Sequence, residues 1–251
     1  MRIPRRYRTA AVTVLTVLLG LALPAPASAI VGGAEATTAE YPWLAAIGTP
    51  LFLTRASGQF CGGALIAPDQ VITTAHCVAL AQTLAQTLTV TFGRDDLRGQ
   101  DGNTVHVKDI RLHPGFRATV LDLTTAYHDD VAILTLDEPQ PRPTIAVAPL
   151  ASGTATILGW GATSETDEAN TRLRAANVPL ATDGECTTAY GPAFDSSTML
   201  CAGTPTADTA EYDSGGPLLV DGRLAGLTSW GVGAARPGFP TVYTRLPSPG
   251  F

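Results

Sequence analysis

Cys61-Gly-Gly-Ala-Leu-Ile-Ala-Pro-Asp-Gln-Val-Ile-Thr-Thr-Ala-His-Cys77 holds two short apolar runs, residues 63–66 and 71–74, with Pro68-Asp69 between them. Runs of four or five apolar or β-branched residues bounded by turn-forming residues predict short strands rather than helices. The same signature recurs at 43–47, 88–92, 105–110, 131–136, 155–158, 217–220, 224–228 and 241–244, with Gly, Pro, Asp and Thr clusters between. No helical periodicity persists over a dozen residues. Many short strands at such intervals predict an all-β sandwich or barrel. One stretch interrupts them: Glu138-Pro-Gln-Pro-Arg-Pro-Thr-Ile-Ala-Val-Ala-Pro149 has four Pro in twelve residues. Missing N–H groups and fixed φ bar it from a helix or a central strand, so it reads as a tether between two halves.

Composition narrows the functional classes. Of 251 residues, 45% are hydrophobic and 15% charged, which excludes a disordered chain. The 19 Pro and 25 Gly follow no three-residue period, so collagen is excluded. A formal charge of -6 leaves no basic face for nucleic acid.

The N-terminus predicts export. Residues 1–8 carry four Arg and no acid, residues 9–23 are largely apolar, and Pro24-Ala-Pro-Ala-Ser-Ala29 ends in Ala27-x-Ala29. That order is the pattern of a secretory signal peptide, and the run falls short of the roughly 20 residues needed to span a bilayer. Residues 1–29 are therefore expected to be a signal and 30–251 a secreted, extracellular protein with no membrane association after signal removal. Losing the four Arg takes Lys plus Arg from 16 to 12 against 22 acids, a mature charge of -10. An oxidising compartment makes bridges the default for the four Cys, with three possible pairings.

Three local signals carry chemistry. Singly, each has a plain structural explanation: a His beside a Cys (His76-Cys77), an acid opening an apolar strand (Asp129-Asp130), and a Gly-rich turn (Asp213-Ser214-Gly215-Gly216-Pro217). Together they supply what nucleophilic acyl transfer requires: a hydroxyl, an imidazole to accept its proton, and a carboxylate to orient that imidazole. His, Asp, Ser is also one of the chain orders in which this constellation occurs. His106 and His128 fit no zinc-ligand spacing, so neither a metal nor another cofactor is expected.

With Ile30-Val-Gly-Gly33 at one end and Val242-Tyr-Thr-Arg245 at the other, the sequence resembles a trypsin/chymotrypsin-family serine protease of the bacterial secreted, trypsin-like branch. The resemblance spans nearly all of 30–251. It implies two packed antiparallel six-stranded β-barrels, about 30–137 and 150–251, joined by a connector at about 138–149, with the active site in the cleft between them. His76 becomes the general base, Asp130 its orienting carboxylate and Ser214 the nucleophile, with the N–H groups of Tyr212 and Ser214 as oxyanion donors. His113-Pro114 reads as a structural turn, and the acids of Gly93-Arg-Asp-Asp96 as solvated surface.

The resemblance also implies how the site is activated and what it accepts. An activating pair would join the α-ammonium of Ile30 to Asp213, a new end that signal removal after Ala29 could create directly. Asp208, six residues before Ser214, would form the acidic floor of a pocket for Arg or Lys. Ser229-Trp230-Gly231 would pair with the substrate backbone. The bridges would be Cys61–Cys77 and Cys186–Cys201. The implied protein is a monomeric secreted endopeptidase acting on proteins or peptides.

Four departures qualify this. Tyr212 and Thr241 stand where the family has Gly, crowding the oxyanion site and the pocket wall. Ala210 and Ala234 replace both ends of a pocket-bracing disulfide. Pro247-Ser-Pro-Gly-Phe251 stands in place of a C-terminal helix. They leave two alternatives open: a weakly active or inactive homologue acting as a binding module, or an active protease with altered primary specificity.

Overall fold

The computed structural model describes residues 30–148, 153–164, 166 and 169–247; the expected signal and residues 248–251 lie outside them. After a two-residue strand, β1 (Ala34–Glu35), six strands close an antiparallel barrel. They are β2 (Leu44–Gly48), β3 (Gln59–Ala67), β4 (Gln70–Thr73), β5 (Thr89–Phe92), β6 (Asn103–Leu112) and β9 (Ala132–Leu136), in spatial order β2-β3-β4-β9-β6-β5. The strands β7 (Arg117–Val120) and β8 (Thr125–His128) form a separate hairpin. Alternation builds this barrel, since one face of each strand must find apolar neighbours. In β6, Val105, Val107 and Ile110 point into the core. The two-residue step between Val107 and Asp109 is a bulge in the pairing with β9, which keeps Ile110 facing inward.

The second sheet contains β10 (Thr154–Gly159), β11 (Arg174–Pro179), β12 (Met199–Ala202), β13 (Pro217–Val220), β14 (Arg223–Trp230) and β15 (Thr241–Arg245), in order β11-β10-β13-β14-β15-β12 with β1 added at the edge. It closes on itself by a short seam rather than a full ladder. Leu180 bridges Ala202, and the Ala181 N–H donates to the Cys201 carbonyl at 2.9 Å. Among the described residues the architecture is thus mostly β, with two short α-helices, α1 (Ala75–Val78) and α2 (Asp183–Tyr190). Among the described residues no helix is long and apolar enough to cross a membrane.

The two β units share a core. Leu158, Trp160, Leu219 and Leu227 of the second pack into the same apolar cluster as Trp43, Leu65 and Phe92 of the first. The described part of the Pro-rich segment runs across both: Ile145 N–H donates to Leu65 O, and Ala148 N–H to Leu224 O. Asp95 accepts from Thr38 N–H and Oγ1 at 2.7 and 2.6 Å, and Asp96 accepts from Thr171 Oγ1 at 2.7 Å. The acidic loop expected to be solvated surface therefore ties chain segments together. Burial within a common core and hydrogen bonds across the seam hold the cleft geometry fixed.

Candidate active site

His76 lies in α1, one short turn immediately after β4, and Cys77 beside it is bonded to Cys61 of β3. The bridge ties that turn to the barrel wall. Both sulfurs are consumed in it, so neither offers a thiolate to a metal beside His76. Asp130 sits between β8 and β9 and is fully buried. Its Oδ2 lies 2.7 Å from His76 Nδ1, and its Oδ1 accepts the His76 backbone N–H at 2.8 Å. Two contacts to one residue fix the ring, and the Nδ1 proton faces the carboxylate, leaving Nε2 as the proton acceptor. Asp129 instead points outward, pairing at 3.4 Å with Arg117. Of the two adjacent acids, only Asp130 reaches the imidazole.

Three partners of this pair have no counterpart in the sequence reading. Ser229 Oγ donates to Asp130 Oδ2 at 2.5 Å, Thr244 Oγ1 donates to the Asp130 carbonyl at 2.9 Å, and the Tyr127 ring stacks on His76 at 4.5 Å. Ser229 and Thr244 come from the distant strands β14 and β15, and Tyr127 from β8, just before Asp130. His113 serves a turn, its Nδ1 accepting the Gly115 N–H.

Ser214 shares a cavity of about 630 Å³ with His76, and Tyr127, Glu211, Trp230 and Thr241 also line it. The Ser214 carbonyl accepts the Gly62 N–H at 2.7 Å, joining the loop of Ser214 to β3. Gly215 has φ +74°, and a Cβ there would meet Thr73 Oγ1 at 2.3 Å, so only glycine allows that approach. Asp213 turns the other way and is buried. Its carboxylate accepts from Gly161 N–H at 2.8 Å and Ala210 N–H at 3.0 Å, and burial pushes its pKa up to about 7. Side chains at 159 and 161 would collide with that carboxylate, so two glycines make its slot. Ile30 is buried in the apolar cluster of the second sheet.

The profile of the family described as trypsin matches residues 30–248. The chain belongs to the trypsin family. It is 38% identical to a trypsin of Saccharopolyspora erythraea over 86% of this chain and 93% of that protein. It is also 33% identical to trypsin eta of Drosophila erecta (91% and 90% covered) and 36% identical to trypsin 5G1 of Aedes aegypti (87% and 81%). Family membership makes the protein a serine endopeptidase by class.

Within this trypsin-family cleft, the residues expected to set specificity divide between two cavities. Asp208 does not line the cavity that holds His76 and Ser214; it borders a second cavity of about 710 Å³ with Arg236 and Phe239. Thr209 and Thr241 line the first cavity instead, joined by a 3.0 Å bond between their hydroxyls. Asp208 is 1% exposed, and its carboxylate accepts from Thr209 N–H and Ala235 N–H. Burial raises its pKa to about 6, opposed by hydrogen bonds that include one from the Thr241 side chain. Thr241 therefore lies over the acid that was expected to form the floor. Ser229, Trp230 and Gly231 line the catalytic cavity, and so do Ala210 and Ala234, without a bridge between them. The Gly231 carbonyl, expected to meet substrate backbone, accepts Thr124 Oγ1 from the turn between β7 and β8 at 2.7 Å. The bridges Cys61–Cys77 and Cys186–Cys201 are both formed.

Proposed function

We propose that the protein is a secreted serine endopeptidase that cleaves peptide bonds through an acyl-enzyme. The observation that carries this reading is the buried Asp130 carboxylate holding His76 at two points beside the cavity that contains Ser214. In the proposed reaction Ser214 Oγ attacks the scissile carbonyl while His76 Nε2 takes its proton. Asp130 stays ionised and stabilises the imidazolium. The N–H groups of Tyr212 and Ser214 receive the oxyanion. His76 then returns the proton to the leaving amine, and water activated by the same imidazole frees the acid product.

Export through residues 1–29 is part of this proposal, and so is activation by a new N-terminus at Ile30. In the uncut chain the Ile30 nitrogen is an amide without charge. Once freed, its ammonium would satisfy Asp213, whose raised pKa reflects a carboxyl buried at a cost that a cation would offset. The 30–137 and 150–251 units, with the 138–149 connector, are proposed as one monomeric catalytic domain. The mature charge of -10 favours protein and peptide substrates over nucleic acid.

The primary pocket has two readings. Asp208 supports Arg or Lys before the scissile bond. The position of Thr241 over a carboxylate outside the catalytic cavity favours a second, a shortened pocket taking small uncharged side chains. Cleavage-site mapping on a mixed peptide pool separates them. On the second reading the wild type cuts after small residues, and Thr241→Gly moves cleavage toward Arg and Lys by at least tenfold in kcat/KM. Wild-type cleavage mainly after Arg and Lys would sink the shortened-pocket reading. No cleavage that depends on Ser214 would sink the endopeptidase reading itself.

A further inference from the structure

Tyr212 has φ +71°, a left-handed conformation that a non-glycine residue adopts against steric resistance. Flipping the peptide between Glu211 and Tyr212 would relieve it by reversing the sign of φ. The same flip would turn the Tyr212 N–H away from where an oxyanion forms. Something must therefore hold the strained form, since such outliers persist only where surroundings over-determine them. One hold is local: the Ala162 N–H donates at 2.8 Å to the Glu211 carbonyl, the oxygen of the peptide that would flip. The others come from the other barrel and grip the Tyr212 ring and the following carbonyl. Arg55, in the loop before β3, lies with its guanidinium carbon 4.2 Å from the centre of the Tyr212 ring. Its Nη2 donates to Trp160 O at 2.9 Å and to Gln59 Oε1 at 2.8 Å. Gln59, 1% exposed, donates through Nε2 to the Tyr212 carbonyl at 2.9 Å. Phe52 packs a tilted ring 6.2 Å from that of Tyr212.

We propose that Arg55, acting with Gln59, is a positioning residue that clamps Tyr212 from side chain and carbonyl at once, holding the left-handed backbone that glycine would adopt unaided. The inference rests on Tyr212 being an oxyanion donor. A planar guanidinium suits the task because it can stack on a ring while its fork reaches two carbonyl-type oxygens. The clamp spans the cleft, so its integrity also reports that the two barrels are correctly docked. It explains how a bulky residue can occupy a position where the backbone conformation is the functional requirement.

The test is a cycle of four processed enzymes: wild type, Arg55→Met, Tyr212→Gly and the double variant, assayed on one short ester. Loss of one oxyanion donor lowers turnover by about 10²–10³. Arg55→Met should therefore reduce kcat by about 10² while KM stays within about twofold, and should change kcat by less than about twofold when residue 212 is Gly. A crystal structure of Arg55→Met should place φ of residue 212 at a negative value. An equal kcat loss in both backgrounds, or a positive φ retained in Arg55→Met, overturns the proposal. Gln59→Met, which removes the carbonyl anchor, carries the same two measurements if Arg55→Met does not fold. A wild type without turnover would contradict the proposed function, and φ at residue 212 in the variant would still decide the clamp.

Discussion

A single carboxylate fixes the imidazole on which the proposed chemistry depends. Asp130 has no solvent exposure and contacts His76 through both oxygens, with a third bond from Ser229. An amide in its place would present a donor to Nδ1 and favour the wrong tautomer. Asp130→Asn should leave KM within about threefold and lower kcat by about 10⁴, measured as steady-state hydrolysis of a peptide ester. A loss below about tenfold would show that the contact only packs the ring. Strain is the other residue-scale theme, since a left-handed non-glycine costs about 1–2 kcal/mol and Tyr212 carries it two residues before Ser214. His76, Asp130 and Ser214 were legible as candidates because the chemistry demands those residue types in that order. Ser229 as a bond to Asp130, Tyr127 as a stacking partner and Arg55 as a clamp were not. Their roles depend on strands and loops meeting in space, which no local pattern encodes. Asp208 was legible as an acid six residues before Ser214, but its burial beside the second cavity was not.

The strands predicted from apolar runs all formed, because each buries a face in a barrel core and so carries a strong pattern. The elements that were missed lack that pattern. All of β7 is exposed, and β11 reads Arg-Ala-Ala-Asn-Val-Pro with only Arg174 and Val178 buried. Met199-Leu-Cys-Ala202 of β12 is buried throughout but too short to stand out from sequence. For α2 a signal existed: Thr182 and Glu185 form a reciprocal capping box, and their three-residue spacing is plain in the sequence itself. Cys186 ties that helix to β12 through Cys201, a constraint on the second unit as Cys61–Cys77 is on the first. The β7–β8 hairpin reaches the cavity of His76 and Ser214 although its outer strand has no buried face. Its turn places Thr124 on the Gly231 carbonyl, an acceptor an extended substrate would need. Thr124→Ala should therefore lower KM several-fold for a peptide extended on the acyl side and leave a one-residue ester unaffected. Equal effects on both substrates would mean the hydroxyl only shapes the loop.

Across the whole molecule, processing at Ile30 would change the balance of buried charge. In the uncut chain the folded state holds the Asp213 proton up to about pH 7, whereas an unfolded carboxyl releases it near the ordinary value of 3.8. Between those values the folded form binds more protons, so its stability falls as pH rises. Asp208, raised to about 6, acts in the same direction. Thermal unfolding of the uncut chain should show Tm dropping by several degrees from pH 4 to pH 7, and Asp213→Asn should flatten much of that slope. After cleavage the new amine has the same sign in a higher pH window. An α-ammonium with reference pKa about 7.7–8.0 is raised by pairing, so its stabilisation is full below that range and is lost as pH climbs through the raised value. Because the two β units share a core, the proposed processing would act on one cleft rather than on two independent halves. Mass analysis of the secreted protein after treatment with an organophosphorus serine reagent probes nucleophile and processing together. The expected result is one adduct, on Ser214, carried by a chain that begins at Ile30. Native, secreted protein that starts at Ile30 and takes up no reagent at Ser214 would contradict the acyl-enzyme mechanism.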